Sequence, residues 1–204
     1  MLKRSVALLF CGFLISNIQG QNFGGGIILG ISTSQVGGDD LAGFNKAGIL
    51  VGVFANKNIS QMLSFQMEMK YIQKGSNNPK MNENRIADIS LSYIEVPLLL
   101  QYQQNSILAI EAGGLLGYLI DGYYNDITSK LESEKNPFIE YDVGLFLGID
   151  YKYSERIHLN TRVSSSLLPI GTEDNFKGLR DLFNSNKKGK YNSVLSFSIK
   201  YNLS

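Results

Sequence analysis

Apolar and polar residues alternate over long stretches of this chain, and the stretches recur along its whole length. In a β-strand, residues i, i+2 and i+4 share one face, so such alternation predicts a strand with one apolar and one polar side. Eight stretches follow this pattern, near residues 23–33, 46–55, 62–72, 89–102, 106–120, 139–152, 156–168 and 190–203. The sequence therefore predicts an all-β fold built from eight strands.

The connections between these strands are alternately long and short. The short ones contain about six, three and three residues, at 56–61, 103–105 and 153–155. The long ones are rich in Gly, Asn, Lys and Asp and lie near 34–45, 73–88, 121–138 and 169–189. An even number of antiparallel strands with every second loop long is typical of outer-membrane barrels. We therefore expect an eight-stranded antiparallel up-and-down transmembrane β-barrel with four long surface loops and short periplasmic turns.

Two features indicate that the apolar rows face lipid. Several stretches reach the roughly 9–11 residues that a tilted strand needs to cross a bilayer. Tyrosines, whose polar tips favour the membrane interface, also stand at the ends of the apolar rows. They are Tyr71, Tyr141 and Tyr191 at one end and Tyr102, Tyr151 and Tyr201 at the other. The alternative is a soluble lipocalin-like carrier, whose apolar rows would point inward around an apolar ligand.

The first 20 residues are predicted to be an export signal. Lys3 and Arg4 form a basic start, residues 5–15 an apolar segment, and residues 16–20 a polar end with cleavage after Gly20. The apolar segment of 11 residues is too short to span a bilayer, which takes about 20. We expect residues 1–20 to be removed and residues 21–204 to form a barrel domain in the cell outer membrane.

Composition narrows the chemistry of the exported chain. Cys11, the only cysteine, lies in the predicted signal, so residues 21–204 contain no thiol for a disulfide or a metal. Without Lys3 and Arg4 the chain has 17 basic and 18 acidic residues, a net charge of −1. This balance gives no support to nucleic-acid binding, which uses a dense basic surface.

A single histidine limits the scope for catalysis. His158 precedes Ser164 on one predicted strand, and the two are about 20 Å apart by strand rise, which is too far for a hydrogen bond. With one histidine and no exported cysteine, the sequence also offers no typical zinc or calcium site. We therefore expect a protein that is not an enzyme and has no catalytic, metal-binding or cofactor-binding residues.

The stretch 93–102, YIEVPLLLQY, resembles a strand of the PorT-like outer-membrane β-barrel family of Bacteroidota, which has Y-[LI]-E-[IV]-P-L-L-[LI]-K-Y there. Further segments are similar to strands of that family in the same order, at 66–76, 112–120, 141–151 and 192–203. Gln101 replaces a common lysine, and the chain ends without the aromatic residue often found at outer-membrane C-termini. The resemblance implies an eight-stranded membrane barrel, usually without an assigned activity. The namesake of the family is linked to protein secretion.

Charged residues on the polar rows are expected inside the barrel. They are Glu68, Lys70, Glu95, Glu111, Asp142 and Arg162. The interior of an eight-stranded barrel is only wide enough for its side chains, and buried charges must be partnered. The sequence therefore predicts an interior salt-bridge network that plugs the barrel. The alternative is a narrow path for ions or protons.

Pro97 interrupts the fourth predicted strand. Proline cannot donate to a β-ladder and is disfavoured in a central strand. The apolar row also changes phase nearby, from Leu91 and Tyr93 to Val96 and Leu98. Both features predict a β-bulge at about 94–97, with Glu95 facing the lumen beside it.

The last long loop is the most suggestive candidate for a contact surface, because loops on a rigid scaffold often carry recognition. Thr172 is placed to cap a short helix over 173–183 with three apolar residues on one side. The candidate contact residues are Phe176, Leu179, Phe183, Lys187, Lys188 and Lys190. The lysines suit lipopolysaccharide phosphates or a partner protein, and the alternative is a plain solvated loop end.

These features favour a membrane scaffold or interaction protein that presents surface loops. Its expected partners are outer-membrane lipid and an envelope or surface protein of unknown identity, in a secretion or envelope assembly. A narrow channel or transport role is the second hypothesis, and a lipid-modifying enzyme is the third.

Overall fold

A computed structural model describes residues 23–37, 44–77, 87–126, 138–172 and 189–203. The expected signal at 1–20 and the expected loop helix at 173–183 lie outside these residues. The strands are β1 Phe23–Gly37, β2 Lys46–Asn58, β3 Leu63–Asn77, β4 Ala87–Gln103, β5 Leu108–Asp126, β6 Tyr141–Lys152, β7 Ile157–Ser166, β8 Gly171–Thr172 and β9 Gly189–Asn202. Within the described ranges, no helix is long and apolar enough to cross a bilayer.

The eight long strands close into a barrel. Each pairs antiparallel with the next from β1 to β7, β7 pairs with β9, and β9 pairs back with β1. The closing register runs from Gly26 opposite Asn202 to Gly37 opposite Tyr191. Because β1 and β9 pair with each other, neither is left as an open edge in lipid. The predicted eight-stranded antiparallel barrel is confirmed.

The strand ends differ from the prediction on the side of the long connections. There β3 reaches Asn77 and β5 reaches Asp126, several residues beyond the predicted ends. The two-residue strand β8, which pairs with the start of β9, lies in a segment predicted to be a loop. Phe138 forms a further bridge to Gly171, so these segments make a small second sheet at that end of the barrel.

The apolar rows face outward and the polar rows face inward. In β6, Leu147 is 66 % exposed whereas Asp150 is 4 % exposed. Tyr141 and Tyr151 lie at the two ends of the same outward row. This is the arrangement of a membrane barrel, which turns its apolar row to lipid. The soluble-carrier alternative required the opposite orientation and is therefore wrong.

The predicted bulge at Pro97 is not present. The register between β4 and β5 instead shifts between Ser92 and Tyr93, where β5 carries one extra residue. Pro97 lies in continuous register opposite Leu115. The two faces of β4 alternate without interruption: Leu91 and Tyr93 are apolar but lie on the inward face, where they are buried, whereas Leu98 lies on the outward face.

The absence of a backbone N–H at Pro97 interrupts the hydrogen bonding of the sheet. The backbone N–H of Gln103 donates to the carbonyl oxygen of Met62, just before β3. The N–H groups of alternate residues of a strand point to the same side, so the N–H that position 97 lacks would also have pointed to β3. The β3–β4 ladder is interrupted between Met67 opposite Leu98 and Lys70 opposite Glu95, while its register is unchanged. Proline therefore removes a ladder bond here without bending the strand out of register.

Inward glycines let the narrow barrel close, and neighbouring glycines of β5 provide a direct check. A Cβ at the inward Gly113 would overlap the carbonyl oxygen of Leu98. A Cβ at the outward Gly114 would have its nearest neighbour at 3.7 Å. We expect Gly113→Val to lower the free energy of unfolding by about 1–3 kcal/mol or to prevent folding, as overpacking does. Gly114→Val should leave it nearly unchanged.

The measurement is the gel mobility of unboiled and boiled protein from outer-membrane fractions, followed by urea unfolding in lipid vesicles. A folded barrel gives a faster-running unboiled band. Equal behaviour of the two variants would contradict the assignment of inward and outward faces.

Candidate functional site

Charged side chains fill the barrel interior. Nine are almost fully buried within the described chain: Glu68, Lys70, Lys74, Glu95, Glu111, Asp142, Asp150, Arg162 and Lys200. The six interior residues predicted from the sequence are all among them. Lys74, Asp150 and Lys200 were missed. Strand parity placed Asp150 and Lys200 on polar rows, whereas Lys74 fell in a segment predicted to be a loop.

An inner network, nearer the short turns, is centred on Arg162. Its Nη1 and Nη2 donate to the two carboxylate oxygens of Glu68 at 2.7 and 2.8 Å, and its Nε donates to Glu111 Oε1 at 2.5 Å. The guanidinium also lies 4.5 Å from the centre of the Phe146 ring. A planar guanidinium suits this site because it can bind one carboxylate with two parallel hydrogen bonds and a second with the third donor.

The inner network continues toward the periplasmic end through Lys200. The ammonium group lies 3.2 Å from Glu111 Oε2 and 2.8 Å from Asp150 Oδ2. Asn160 donates to Glu111 Oε1 at 2.9 Å. His158 Nδ1 lies 2.6 Å from Asp150 Oδ1, at the end of the network. We use the name inner network for Glu68, Glu111, Asp150, Arg162 and Lys200.

An outer network, nearer the long connections, consists of Lys70, Lys74, Glu95 and Asp142. Lys74 forms ion pairs with Glu95 and with Asp142, the latter at 3.0 Å. Lys70 lies 3.3 Å from the other oxygen of Glu95. Asn192 donates to Asp142 Oδ2 at 2.9 Å. The structure thus brings Glu68, Glu111 and Arg162 together in one network and Lys70, Glu95 and Asp142 in another.

The gap beside the inner network has little free space. The gap bounded by Ile28, Leu50, Glu68, Arg162 and Ser196, among others, is too small to hold a water molecule. Ser196 and Ser198 of β9 also line this gap. The charged groups of each network contact one another directly.

The contacts of His158 involve no nucleophile in the described part of the chain. One ring nitrogen faces Asp150, and the other lies 3.3 Å from Asn202 Nδ2. Ser164 lies further along β7, where it pairs with Phe146 and Val194. Across the described ranges, no three His, Asp or Glu side chains are grouped so that they could hold a metal ion. The chemistry of this interior is ion pairing.

Pro97 forms no part of the ion pairs, but it is buried on the inward face of β4, two residues from Glu95 and opposite Leu115 of β5. Lys190 lies at the start of β9, opposite Gly171. The other loop candidates, Phe176, Leu179, Phe183, Lys187 and Lys188, are outside the described residues.

Comparison with known proteins identifies the family. A protein-family model described as "Outer membrane protein beta-barrel domain" matches residues 10–170 of the sequence. The chain belongs to this family. This family membership confirms the expected location in the outer membrane. No curated protein sequence matches this chain.

Solved structures show the same fold. The barrel is similar to Ail, the attachment invasion locus protein of Yersinia pestis, with a TM-score of 0.51 and 10% identity over 89% of this chain and 99% of that chain. It is also similar to Neisserial surface protein A, with a TM-score of 0.50 and 15% identity over 88% of this chain and 96% of that chain. At these identities the likeness concerns the fold alone.

Breaking the inner network should destabilise the barrel strongly. Arg162→Met leaves the carboxylates of Glu68 and Glu111 without their guanidinium, and we expect a loss of about 3–5 kcal/mol in the free energy of unfolding. Lys152→Met removes an exposed ion pair with Glu155 and should change it by no more than about 1 kcal/mol. Urea unfolding in lipid vesicles measures both values.

A double-mutant cycle separates the ion pair from packing. Glu68→Gln in the Arg162→Met background should restore part of the loss, because no unpaired carboxylate then remains at position 68. Additive effects of the two substitutions would show that the pair observed in the structure does not contribute as a pair.

Proposed function

We propose that this outer-membrane barrel is a non-enzymatic membrane scaffold that presents surface loops to partners and does not conduct ions. The observation that carries the proposal is the closed interior, in which nine buried charges are paired and the intervening gap is too small for water. Passage of an ion would require several buried pairs to separate, and breaking one such pair costs about 3–5 kcal/mol. A closed barrel of this kind is better suited to presenting loops than to transporting ions.

A narrow proton path is the second candidate. The observation that favours it is the unbroken series of contacts from His158 through Asp150, Lys200 and Glu111 to Arg162. The series begins near the periplasmic end. Among the described residues, however, no ion pair or hydrogen bond joins the inner network to the outer one. The interruption favours the scaffold role.

Ion and proton conduction can be tested on the purified barrel. We expect no steady single-channel current in planar bilayers and no proton leak above that of protein-free liposomes containing a pH-sensitive dye. A porin with a water-filled channel, reconstituted in the same way, serves as the positive control. Steady current through the unmodified protein would contradict the proposal. A leak that disappears in Asp150→Asn would establish the proton path instead.

The proposed contact surface is the last long connection. β9 begins at Gly189, at the end of the barrel that faces away from the short turns, and Lys187 and Lys188 precede it in the sequence. In outer-membrane barrels the longer loops are extracellular. We propose that these lysines, with Phe176, Leu179 and Phe183, bind lipopolysaccharide phosphates or an envelope or surface protein.

Loop replacement tests this surface. We expect that a Gly-Ser linker of equal length in place of 173–188 abolishes chemical crosslinking of the barrel to its partner on intact cells. The same replacement of 127–137 is the matched control and should preserve crosslinking. Both variants should keep the fast-running unboiled band. Unchanged crosslinking after replacement of 173–188 would show that this loop is not the contact surface.

Within the family, we propose a relation to the PorT-like proteins of Bacteroidota. The support is the strand at 93–102, whose Glu-Val-Pro segment follows the pattern of those proteins. A place in protein secretion or envelope assembly, with residues 1–20 as the export signal, would accompany that relation. The intact mass of the protein extracted from outer membranes checks cleavage after Gly20.

A further inference from the structure

The three short turns at the periplasmic end of the barrel have the same backbone structure. In each turn, the N–H groups of the first two residues donate to the carbonyl oxygen of the fifth; the turns are 59–63, 104–108 and 153–157. The side chain of the second residue, which is Ser60, Asn105 or Ser154, accepts the N–H groups of the fourth and fifth residues. The turns therefore place their fourth residues equivalently on the rim of the barrel.

The fourth residue of each turn lies beside a tyrosine of the neighbouring strand. Its carbonyl oxygen accepts the N–H of the residue that follows this tyrosine; the three sites are Met62 beside Tyr102, Ile107 beside Tyr151 and Arg156 beside Tyr201. In the first site Tyr102 OH lies 3.9 Å from Met62 Sδ. In the third, Arg156 Nη1 donates to Tyr201 OH at 3.4 Å. Two of the three equivalent sites are thus apolar, and the third carries a guanidinium.

The guanidinium of Arg156 lies on the lipid side of the rim. Tyr201 belongs to the outward row of β9, where it pairs with Ile27 of β1 and Ile157 of β7. A contact with its hydroxyl therefore places the guanidinium outside the lumen. Short turns of outer-membrane barrels face the periplasm, and tyrosines at strand ends lie at the depth of the lipid headgroups. Arg156 is thus positioned at the headgroups of the periplasmic leaflet.

No carboxylate of the described chain neutralises the charge of Arg156. Its side chain is exposed, and its guanidinium contacts the hydroxyl of Tyr201. The neighbouring acid, Glu155, pairs instead with Lys152 at 2.9 Å. A planar guanidinium can bind a phosphate through two parallel N–H groups, and a tyrosine hydroxyl beside it can donate a third hydrogen bond. The pair of Arg156 and Tyr201 therefore has the donors that a phosphate requires.

The same sector of the rim carries a second cation. Lys57, near the end of β2, lies with its Nζ 5.5 Å from the centre of the Phe23 ring at the start of β1. Strands β7, β9, β1 and β2 follow one another around the barrel. The turns at 59–63 and 104–108, by contrast, contain no charged residue. Because basic residues near a membrane surface attract anionic lipids, this distribution of charge favours anionic lipid in the sector from β7 to β2.

We propose that Arg156 and Tyr201 form a binding site for the phosphate of an anionic phospholipid in the periplasmic leaflet. The guanidinium and the hydroxyl donate to the phosphate oxygens, and the acyl chains lie along Phe197 and Ile199, which are exposed on the outward row above the site. Lys57 adds positive charge to the same sector. The site goes beyond the scaffold role, since it concerns the end of the barrel opposite the long loops.

Native mass spectrometry tests this site on the barrel purified from outer membranes in detergent. The protein is titrated separately with phosphatidylglycerol, which is anionic, and with phosphatidylethanolamine, which is zwitterionic, and the dissociation constant of each lipid adduct is measured. We expect tighter binding of phosphatidylglycerol. Arg156→Ile, which introduces the residue of the second turn, should weaken that binding about fivefold, as loss of one basic residue near a membrane surface would. Tyr201→Phe keeps the ring and the charge and should weaken it about threefold through loss of one hydrogen bond.

The repeated turn structure supplies a matched control. Adding Ile107→Arg to Arg156→Ile keeps the net charge and places the arginine beside Tyr151, in the equivalent position of the second turn. This double variant should regain tight binding of phosphatidylglycerol. Adding Ser106→Arg instead restores the same charge in the same turn, but at the third position, which does not adjoin the tyrosine. It should leave the binding weak.

Several outcomes would overturn the site. They are equal affinity for the two lipids, unchanged binding in Arg156→Ile, and equal recovery with Ser106→Arg and Ile107→Arg, which would indicate a general attraction of charge. Glycerol 3-phosphate, which has a phosphate but no acyl chains, should bind far more weakly than phosphatidylglycerol. Equal binding would assign the residues to a free anion instead of a lipid. The fast-running unboiled band confirms that each variant is folded, and the current and crosslinking measurements remain separate tests of the scaffold role.

Discussion

Every backbone amide in a bilayer core must find its partner within the protein, and the pairing of β1 with β9 is what meets this requirement here. Closure of the sheet determines which row of each strand meets lipid and which is enclosed. It also makes the interior narrow, since eight strands leave a lumen that side chains fill. The apolar outer surface and the inward glycines follow from closure. So does the need for each enclosed charge to have a partner.

The two charged networks meet that need in different ways. Arg162 satisfies two carboxylates with three donors, and Lys200 connects the inner network to the periplasmic end. This part of the lumen is tightly bonded. In the outer network Lys74 pairs with both Glu95 and Asp142. Close to it, the pairing of β3 with β2 ends at Ile72, and the next part of β3 lies on the inward side of β2, where Ser32 and Ser34 of β1 form hydrogen bonds with the backbone of Gln73 and Gly75. The barrel therefore partners its enclosed charges through two separate networks, one at each end of the lumen.

Strand parity predicted most of the interior because it depends only on local geometry. Glu68, Glu111 and Arg162 lie on polar rows, and a closed barrel turns these rows inward whatever the register. Parity could not assign the partners, since these residues come from β3, β5 and β7 and meet across the lumen. It was also misleading at Leu91 and Tyr93, which are apolar and inward. These residues were expected to face lipid, and this expectation led to the prediction of a β-bulge near Pro97. The register between β4 and β5 contains no bulge there.

The alternation of residues by itself determined the eight strands, the outward apolar surface, the outer-membrane location and the charged lumen, because all of these depend on which face of a strand a residue occupies. The tertiary structure alone decided the extra residue in β5, the grouping of charges into two networks and the passage of β3 inside β2 onto Ser32 and Ser34. These features depend on the distances between strands remote in sequence. No periodicity along the chain encodes those distances.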